Sequence, residues 1–300
     1  MDHLAERYLR PRKIPGTACS GCGLGQVHKK ILLAVEQSGI GTDDLVWGTG
    51  IGCSGRQTFN TWKGDNFAGT HGRVYAMAVG LRAALPEEKK ILLTVGDGDA
   101  FGIGLSHLLH CARRNVGMTV IVADNFGYQS TGGQYGYTTP QGFVTDSSPY
   151  GTHEPGWLQG GADILDILKS AGATFLARYS SFEGQKAVAG IKKALDNKGF
   201  SLVHCIYPCV THFGAVGLNS RDNGEIVRWF EELFSAKNRS GRGPHLTSGI
   251  THDARGTRPE FAAALKARTR EIREGRHVPA CSNPYLKNSQ GGAEGRHVQA

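Results

Sequence analysis

The sequence predicts an α/β fold: an open, mostly parallel sheet with helices on both faces, followed by a C-terminal helical extension. Apolar runs of strand length, KKILLTV at 89–95 and MTVIVAD at 118–124, flank a segment of helical pattern from Ile103 to Asn115. Strands covered on both faces read as continuous apolar runs, and a strand–helix–strand order predicts a right-handed parallel crossover. With 300 residues, of which 39% are hydrophobic, the chain can bury a substantial core.

The elements before this unit are predicted from residue spacing and helix-stop signals. Apolar residues at helical spacing predict a helix over 23–37, with Gly39 after it. The run LVWGTGIGC predicts a short strand leading into a glycine-rich loop, and an alanine-rich helix is predicted over 72–85, before Pro86. Residues 1–18 are basic and contain Pro and Gly, so we expect an extended arm.

The second half of the chain repeats the alternation of helix and strand. The predicted elements are a helix over 162–171, the strand FLAR, a helix over 183–197, the strand SLVHCIY, and two helical segments over 224–236 and 258–274. The run NRSGRGP and the last ~25 residues have the composition of a linker and a disordered tail. We therefore divide the chain into an arm (1–18), a main domain (19–213) and a C-terminal extension and tail (214–300).

Charge and hydropathy exclude several classes of protein. The net charge is +8, but Lys and Arg are interleaved with Asp and Glu, which favours small anionic ligands over nucleic acid. No stretch approaches the ~20 apolar residues that span a bilayer, and the N-terminus lacks the apolar core of a signal peptide. We expect a cytoplasmic protein without a membrane span.

Polar residues directly follow the two central strands. The sequence GDGD occupies 96–99, and Asn125 follows the second strand. Carboxyl ends of neighbouring parallel strands meet at one edge of the sheet, where α/β proteins bind ligands, and glycines let backbone N–H groups approach a phosphate. Mg²⁺ prefers oxygen ligands that it shares with phosphates, so Asp97, Asn125 and the Gly127 carbonyl are the predicted ligands.

Six motifs in order resemble the β subunit of 2-oxoacid:ferredoxin oxidoreductases. They are CSGCG at 19–23, GIGCSGR at 50–56, GTHGR at 69–73, HLLHCARRN at 107–115, FGYQSTGGQYGYTTP at 126–140 and PCVTHF at 208–213. In addition, the G-D-G with an asparagine 28 residues after its aspartate resembles the signature of thiamine-diphosphate enzymes. The resemblance covers the chain from about Cys19 to Phe213.

The resemblance implies a thiamine-diphosphate-binding PP-domain fold and a set of cofactor-binding residues. Asp97 and Asn125 would be the Mg²⁺ ligands, and the His71 imidazole would lie near thiamine diphosphate as a hydrogen-bond donor. The other residues assigned to the cofactor are Gly52, Ser54, Gly96, Gly98, Asp99, Gly127, Thr131 and Gly132.

Cys19, Cys22, Cys53 and Cys209 each fall within one of these motifs and are the candidate metal ligands among the seven cysteines. From the residues alone, four thiolates can hold either Zn²⁺ or an iron–sulfur cluster. The family resemblance implies a [4Fe–4S] cluster, with Cys53 on the glycine loop that approaches the thiamine. Cys111, Cys205 and Cys281 are interpreted as structural residues.

By the resemblance, the enzyme decarboxylates a 2-oxoacid oxidatively to an acyl-coenzyme A and passes electrons through the cluster to ferredoxin or a similar carrier. Arg56 is the candidate for gripping the substrate carboxylate, because a guanidinium can do so bidentately. Ser130 replaces an apolar residue of many relatives, which suggests a larger, polar or aromatic 2-oxoacid. The carboxylate that activates the thiamine ring would come from a partner α subunit, so we expect the isolated chain to be inactive.

Two alternatives remain open at this point. A cluster-free, two-subunit thiamine-dependent decarboxylase would keep the GDGD and asparagine motifs but give the four cysteines no purpose. A zinc-stabilised nucleic-acid-binding protein would use the basic arm and tail, and it predicts bound zinc and salt-dependent affinity. Iron content distinguishes the first alternative from the main interpretation.

Overall fold

A seven-stranded sheet runs through the part of the chain that the computed structural model describes, residues 3–14, 16–160, 162–235 and 243–276. The strands are β1 (Leu45–Thr49), β2 (Asn66–Ala68), β3 (Lys90–Gly96), β4 (Met118–Asp124), β5 (Phe175–Ser180), β6 (Phe200–Ile206) and β7 (Gly249–Asp253). Their order is β2-β1-β3-β4-β6-β5-β7, and every neighbouring pair is parallel except β5 with β7. The predicted open, mostly parallel sheet is confirmed.

Helices cover both faces of this sheet. They are α1 (His3–Tyr8), α2 (Leu24–Gln37), α3 (Cys53–Thr61), α4 (Val74–Ala84), α5 (Leu105–Arg114), α6 (Ile164–Ala171), α7 (Gln185–Asp196), α8 (Asn223–Glu232) and α9 (Phe261–Arg273). Alternate residues of β3 point to opposite faces. Leu93 belongs to the core that also contains buried residues of α4, α5, α6 and α8, and Leu92 belongs to the core that also contains buried residues of α1, α2 and α7. Two apolar cores result, one on each face.

The structure differs from the sequence-based prediction in four elements, one of which is the short strand β2, which was not predicted. The arm predicted to be extended is helical over His3–Tyr8, and its Leu4 and Tyr8 are buried in a core, so that prediction is wrong there. The glycine-rich loop after β1 continues into helix α3, which was not predicted. The antiparallel edge strand β7 was also missed.

The chain forms two units. Met1–Ala263 contains the sheet, and Ala264–Ala300 contains most of α9 within its described residues. The predicted tail and Cys281 lie outside the described residues, and the predicted linker at 238–244 is described only from Gly243. No helix in the described ranges is both long and apolar enough to cross a membrane. The boundaries 1–18, 19–213 and 214–300 stay a prediction.

Candidate active site

A cavity of about 450 Å³ lies beyond the carboxyl ends of β1, β3 and β4. Its walls come from the loop after β1 with the start of α3, from the GDGD turn after β3, and from the loop after β4. Glycine is required where these loops approach one another. A Cβ on Gly98 would lie 2.2 Å from the Tyr128 ring, and one on Gly136 would lie 2.7 Å from the Gly127 Cα.

Most of the sequence-predicted cofactor and substrate residues meet at this cavity. Those lining it are Gly52, Ser54, Arg56, His71, Gly96, Asp97, Gly98, Asp99, Asn125, Gly127 and Thr131. Cys53 lines it as well. Gly132 does not line it but follows Thr131, with a φ of 130° that suits glycine. Lining residues that the sequence analysis did not assign include Ile51, Ile103, Tyr128, Gln129 and Tyr207.

Asp97 is a buried carboxylate, 3% exposed, whose Oδ2 accepts a hydrogen bond from Thr138 Oγ1 at 3.0 Å. Burial, and then the nearby Asp124 carboxylate, raise the pKa of Asp97 well above its ordinary value. A cation bound beside this group would favour its ionised form, because opposite charge offsets the cost of burying the anion. The position therefore suits a metal ligand.

Two further oxygen atoms complete the predicted ligand set. Asn125 is 6% exposed, and its Nδ2 donates to Tyr207 Oη at 2.8 Å, which leaves Oδ1 as the available acceptor. The Gly127 carbonyl accepts from Gln129 N–H at 3.0 Å and retains a second lone pair. A carboxylate, an amide oxygen and a carbonyl are a donor set that fits Mg²⁺.

The N-terminus of α3 opens on the same cavity. Gly52 precedes the helix with a φ of 117°, and no side chain caps the free N–H groups of the first turn. Ser54 Oγ and Asp99 Oδ2 are buried and have no hydrogen-bond partner among the described residues. Free N–H groups at a helix start, together with an unpaired hydroxyl, are suited to bind the oxygens of a phosphate group.

Asp99 holds the loop that carries His71. Its Oδ1 accepts from Gly72 N–H at 2.8 Å and lies 2.9 Å from His71 Nδ1, a close contact that is not aligned as a hydrogen bond. Burial raises the pKa of Asp99, although the Gly72 N–H and His71 oppose the shift. The carboxylate thereby keeps the His71 ring at the cavity wall.

Thr138 connects Asp97 to a second buried carboxylate. Its Oγ1 lies 3.0 Å from Asp97 Oδ2 and 2.9 Å from Asp124 Oδ1, which also accepts from Phe126 N–H at 2.8 Å. A hydroxyl carries one hydrogen, so it donates to one carboxylate at a time. The two acids thus share a single donor at the base of the predicted metal site.

A network of hydrogen bonds continues from Asp124 to residues of β6 and β5. Arg178 Nε donates to His204 Nδ1 at 3.1 Å, so that nitrogen carries no hydrogen, and Nε2 donates to Asp124 Oδ2 at 2.8 Å. Arg178 also grips Asp163 through two hydrogen bonds of 2.7 Å. Burial lowers the pKa of His204, in agreement with a neutral ring. In the sequence, this network could have been recognised from the polar residues Arg178 and His204, each of which lies within an otherwise apolar strand.

The four cysteines predicted to bind a cluster lie beside the cavity. Burial, and then the neighbouring thiols of Cys209, Cys19 and Cys53, raise the pKa of Cys22 to about 12. Leu24 N–H points to Cys22 Sγ at 3.5 Å, and Gly23 N–H donates to the Pro208 carbonyl at 3.1 Å, which joins the two cysteine loops. Within the described residues, no three His, Cys, Asp or Glu side chains converge as a single metal ion requires.

Residues 50–205 match the family described as thiamine pyrophosphate enzyme, C-terminal TPP binding domain. This region includes the first helix turn of α3, both motif-bearing strand ends and most of the cavity wall. The fold and the site therefore define a thiamine-diphosphate-binding domain.

Similar proteins define the family more narrowly. The 2-oxoglutarate synthase subunit KorB of Methanocaldococcus jannaschii is 35% identical over 77% of this chain and 82% of its own length. KorB of Methanothermobacter thermautotrophicus is 38% identical over 75% and 76%. The β subunit of 2-oxoacid:ferredoxin oxidoreductase 2 of Aeropyrum pernix is 35% identical over 71% and 64%. The chain belongs to the β subunits of the 2-oxoacid:ferredoxin oxidoreductases.

A solved structure agrees with this membership. The 2-oxoglutarate:ferredoxin oxidoreductase from Magnetococcus marinus, with 2-oxoglutarate, coenzyme A and succinyl-CoA bound, superimposes with a TM-score of 0.73. The sequences are 26% identical, and the match covers 94% of each chain. The chain is thus one subunit of a thiamine-dependent oxidoreductase, and these relatives do not support the nucleic-acid-binding alternative.

Proposed function

We propose that this chain binds thiamine diphosphate through one Mg²⁺, held by Asp97, Asn125 and the Gly127 carbonyl. The observation that carries the proposal is their meeting in one cavity of about 450 Å³ with the uncapped start of α3. Ser54 and the α3 N–H groups would bind diphosphate oxygens. When bound, thiamine diphosphate supplies the carbanion stabilisation that decarboxylation of a 2-oxoacid needs.

Cys19, Cys22, Cys53 and Cys209 are proposed to hold a [4Fe–4S] cluster. The proposal is supported by the effect of these thiols on one another, because neighbouring cysteines raise the pKa values of Cys22 and Cys53. Cys53 also lines the cavity, so a cluster bound there would be an electron acceptor next to the thiamine. Four thiolates bind four different irons of a cluster, so they surround it and need not converge on one point as ligands of a zinc ion do.

The proposed substrate is 2-oxoglutarate or a closely similar 2-oxoacid. Several relatives are named for 2-oxoglutarate, and exposed Arg56 lies at the cavity wall where a substrate carboxylate would enter. The loop over 128–134, with Thr131 and Gly132, would close over the diphosphate. It is held by the hydrogen bonds from Tyr128 N–H to the Gln134 carbonyl and from Gly133 N–H to the Tyr128 carbonyl.

The assembled enzyme would transfer the acyl group to coenzyme A and electrons to ferredoxin or a similar carrier. An α subunit would supply the carboxylate that contacts the thiamine ring. His71 would donate a hydrogen bond to the cofactor, while Asp99 holds its ring in place.

The test is anaerobic purification of the chain with its α subunit, followed by metal analysis and titration with thiamine diphosphate in Mg²⁺. We expect about four irons per β chain. Asp97→Ala should weaken cofactor binding by more than about 100-fold, because even residues behind a metal ligand contribute roughly 10- to 100-fold. The control is Asp65→Ala, at an exposed aspartate outside the cavity. Zinc in place of iron, or equal binding by both variants, would overturn the proposal.

A further inference from the structure

Phe126 has an unusual backbone conformation between two of the proposed metal ligands. Its φ is 66°, in the left-handed region, and it stands between Asn125 and Gly127. Within the described part of the chain, the other non-glycine residues with positive φ are Asn115 and Asn219, and asparagine tolerates this conformation better than a bulky residue does. Contacts around Phe126 therefore have to compensate for its backbone strain.

Both polar groups of the Phe126 main chain are bound by side chains. Its N–H donates to Asp124 Oδ1 at 2.8 Å, and its carbonyl accepts from Thr139 Oγ1 at 2.8 Å. An N–H only donates and a carbonyl only accepts, so the direction of each bond is fixed. Asp124 is itself held at its other oxygen by His204 Nε2, at 2.8 Å. The peptide groups on both sides of Phe126 are thereby held in place.

The Phe126 side chain packs against an aromatic cluster formed by Phe213, Trp229 and Phe230. Its ring is fully buried and stacks on Phe230, with 5.3 Å between ring centroids and an interplanar angle of 17°. The centroid distances to Phe213 and Trp229 are 5.3 Å and 5.9 Å. Trp229 and Phe230 belong to α8, which lies beyond the matched region 50–205 and beyond the last sequence motif, so neither gives α8 a role.

These two sets of contacts together determine φ of Phe126. The angle φ is the rotation about the N–Cα bond. The hydrogen bond to Asp124 fixes the N–H at one end of this bond, and the aromatic cluster fixes the side chain at the other end. Rotation to a negative φ would break one of the two. The packing of α8 therefore helps to keep the backbone left-handed between the two ligands.

We propose that Phe230 is a positioning residue for the metal site. By stacking on Phe126 it keeps the turn over 125–127 in the shape that brings the Asn125 side chain and the Gly127 carbonyl to one Mg²⁺. The inference rests on the proposed thiamine diphosphate site and deepens it. Phe230 would touch neither the cofactor nor the reacting atoms, and it gives the C-terminal extension a part in cofactor binding.

The test measures the Mg²⁺ concentration for half-maximal thiamine diphosphate binding in the assembled enzyme. Phe230→Leu removes the stacked ring, so the left-handed turn becomes one of several loop conformations, and the apparent affinity falls with the fraction that remains competent. We expect the half-maximal Mg²⁺ concentration to rise roughly tenfold. Phe200→Leu is the matched control, because Phe200 is a fully buried residue of the same core at the other end of the sheet. It should stay within about twofold of the wild type.

Variants of Phe126 itself distinguish positioning from general packing. Phe126→Gly removes both the ring and the backbone strain, so adding Phe230→Leu should then cost less than about twofold. Phe126→Ala removes the same ring but keeps the strain, so it should need at least about threefold more Mg²⁺ than Phe126→Gly. This comparison does not depend on whether Phe230→Leu folds.

Four results would overturn the inference. They are an unchanged Mg²⁺ dependence in Phe230→Leu, an equal rise in Phe200→Leu, a tenfold rise that persists when Phe230→Leu is added to Phe126→Gly, and equal Mg²⁺ requirements in Phe126→Ala and Phe126→Gly. Failure of the wild-type enzyme to bind thiamine diphosphate would instead refute the proposed function.

Discussion

Arg56 brings an exposed guanidinium to the wall of the cavity, on the first turns of α3. Arg56→Met should raise KM for 2-oxoglutarate at least about tenfold, because a charge-assisted bidentate contact with the substrate carboxylate is lost. Cofactor affinity should not change. The KM of Arg56→Lys should lie between those of the wild type and Arg56→Met, since a point charge cannot bind both carboxylate oxygens at once. Steady-state kinetics give the result, with Arg221→Met, at an exposed arginine outside the cavity, as control. An unaltered KM in Arg56→Met contradicts the assignment.

His28 gives a residue-scale prediction that is independent of the cofactors. The ring stacks on Trp47, its Nε2 has no hydrogen-bond partner among the described residues, and burial lowers its pKa from 6.5 to about 4. Between these two values the unfolded chain takes up a proton that the folded chain excludes. Stability contributed by the neutral ring is therefore lost as the pH falls from about 6.5 to about 4.

The change to make is His28→Phe, which keeps an aromatic ring on Trp47 but cannot be protonated. Relative to its own stability at pH 7.5, the wild type should lose about 2 kcal/mol more than the variant at pH 5. Urea unfolding of the metal-free chain at both pH values measures this difference. Parallel losses in the two proteins would rule out His28 as a source of acid sensitivity.

The Thr138 hydroxyl connects two secondary-structure elements, because it lies between Asp97 at the end of β3 and Asp124 at the end of β4. Thr138→Val should lower the free energy of unfolding by about 1–3 kcal/mol, since two buried carboxylates lose their shared donor. Thr145→Val is the matched control, because the buried Thr145 hydroxyl has no hydrogen-bond partner within the described part of the chain. It should be neutral or stabilising. Equal unfolding midpoints for the two variants would contradict the bridging role.

The sequence predicted the elements whose burial is uniform. The strand at 118–124 was located to the residue, and the helix predicted over 103–115 occupies Leu105–Arg114, because β4 is buried throughout and mostly apolar and α5 has an apolar face. Helix α3 was missed because CSGRQTFNT is largely polar and buries small polar residues against the sheet. The edge strand β7 was missed because most of its residues are exposed, so it lacks an apolar run.

Only those residues of the candidate site that lie in a recognisable sequence motif could be predicted. The GDGD turn and Asn125 follow from the rule that ligands gather at the carboxyl ends of parallel strands. Tyr207 and His204 could not be found in this way, because their roles depend on partners about 80 residues away in sequence. A local pattern does not contain such a contact. It arises only when β4 and β6 pair in register.

At the scale of the whole molecule, the cavity has an apolar and open rim. Ile51 and Ile103 line it and are each about half exposed, at 52% and 51%. Apolar side chains left exposed around a cavity indicate a surface that another chain covers. This observation agrees with membership in a family of β subunits, whose enzyme has further subunits.

The β chain alone should therefore not turn over substrate. Loaded with thiamine diphosphate, Mg²⁺ and iron, it should not reduce an artificial one-electron acceptor with 2-oxoglutarate, because the ring-activating carboxylate is proposed to come from the α subunit. Adding the α subunit should restore the rate, and an α variant lacking that carboxylate should not. Stopped-flow absorbance under anaerobic conditions provides the measurement. Turnover by the purified β chain would show that this chain contains the complete catalytic site.

The half-exposed rim also has a consequence for the order in which the subunits can be produced. A subunit that collects its cofactors but leaves their reactive face open to water can be produced ahead of its partner without consuming 2-oxoacid or leaking electrons. Binding of the second chain would then complete the catalytic site and exclude water from it at the same time. The number of active enzymes would then depend on how many β chains meet a partner.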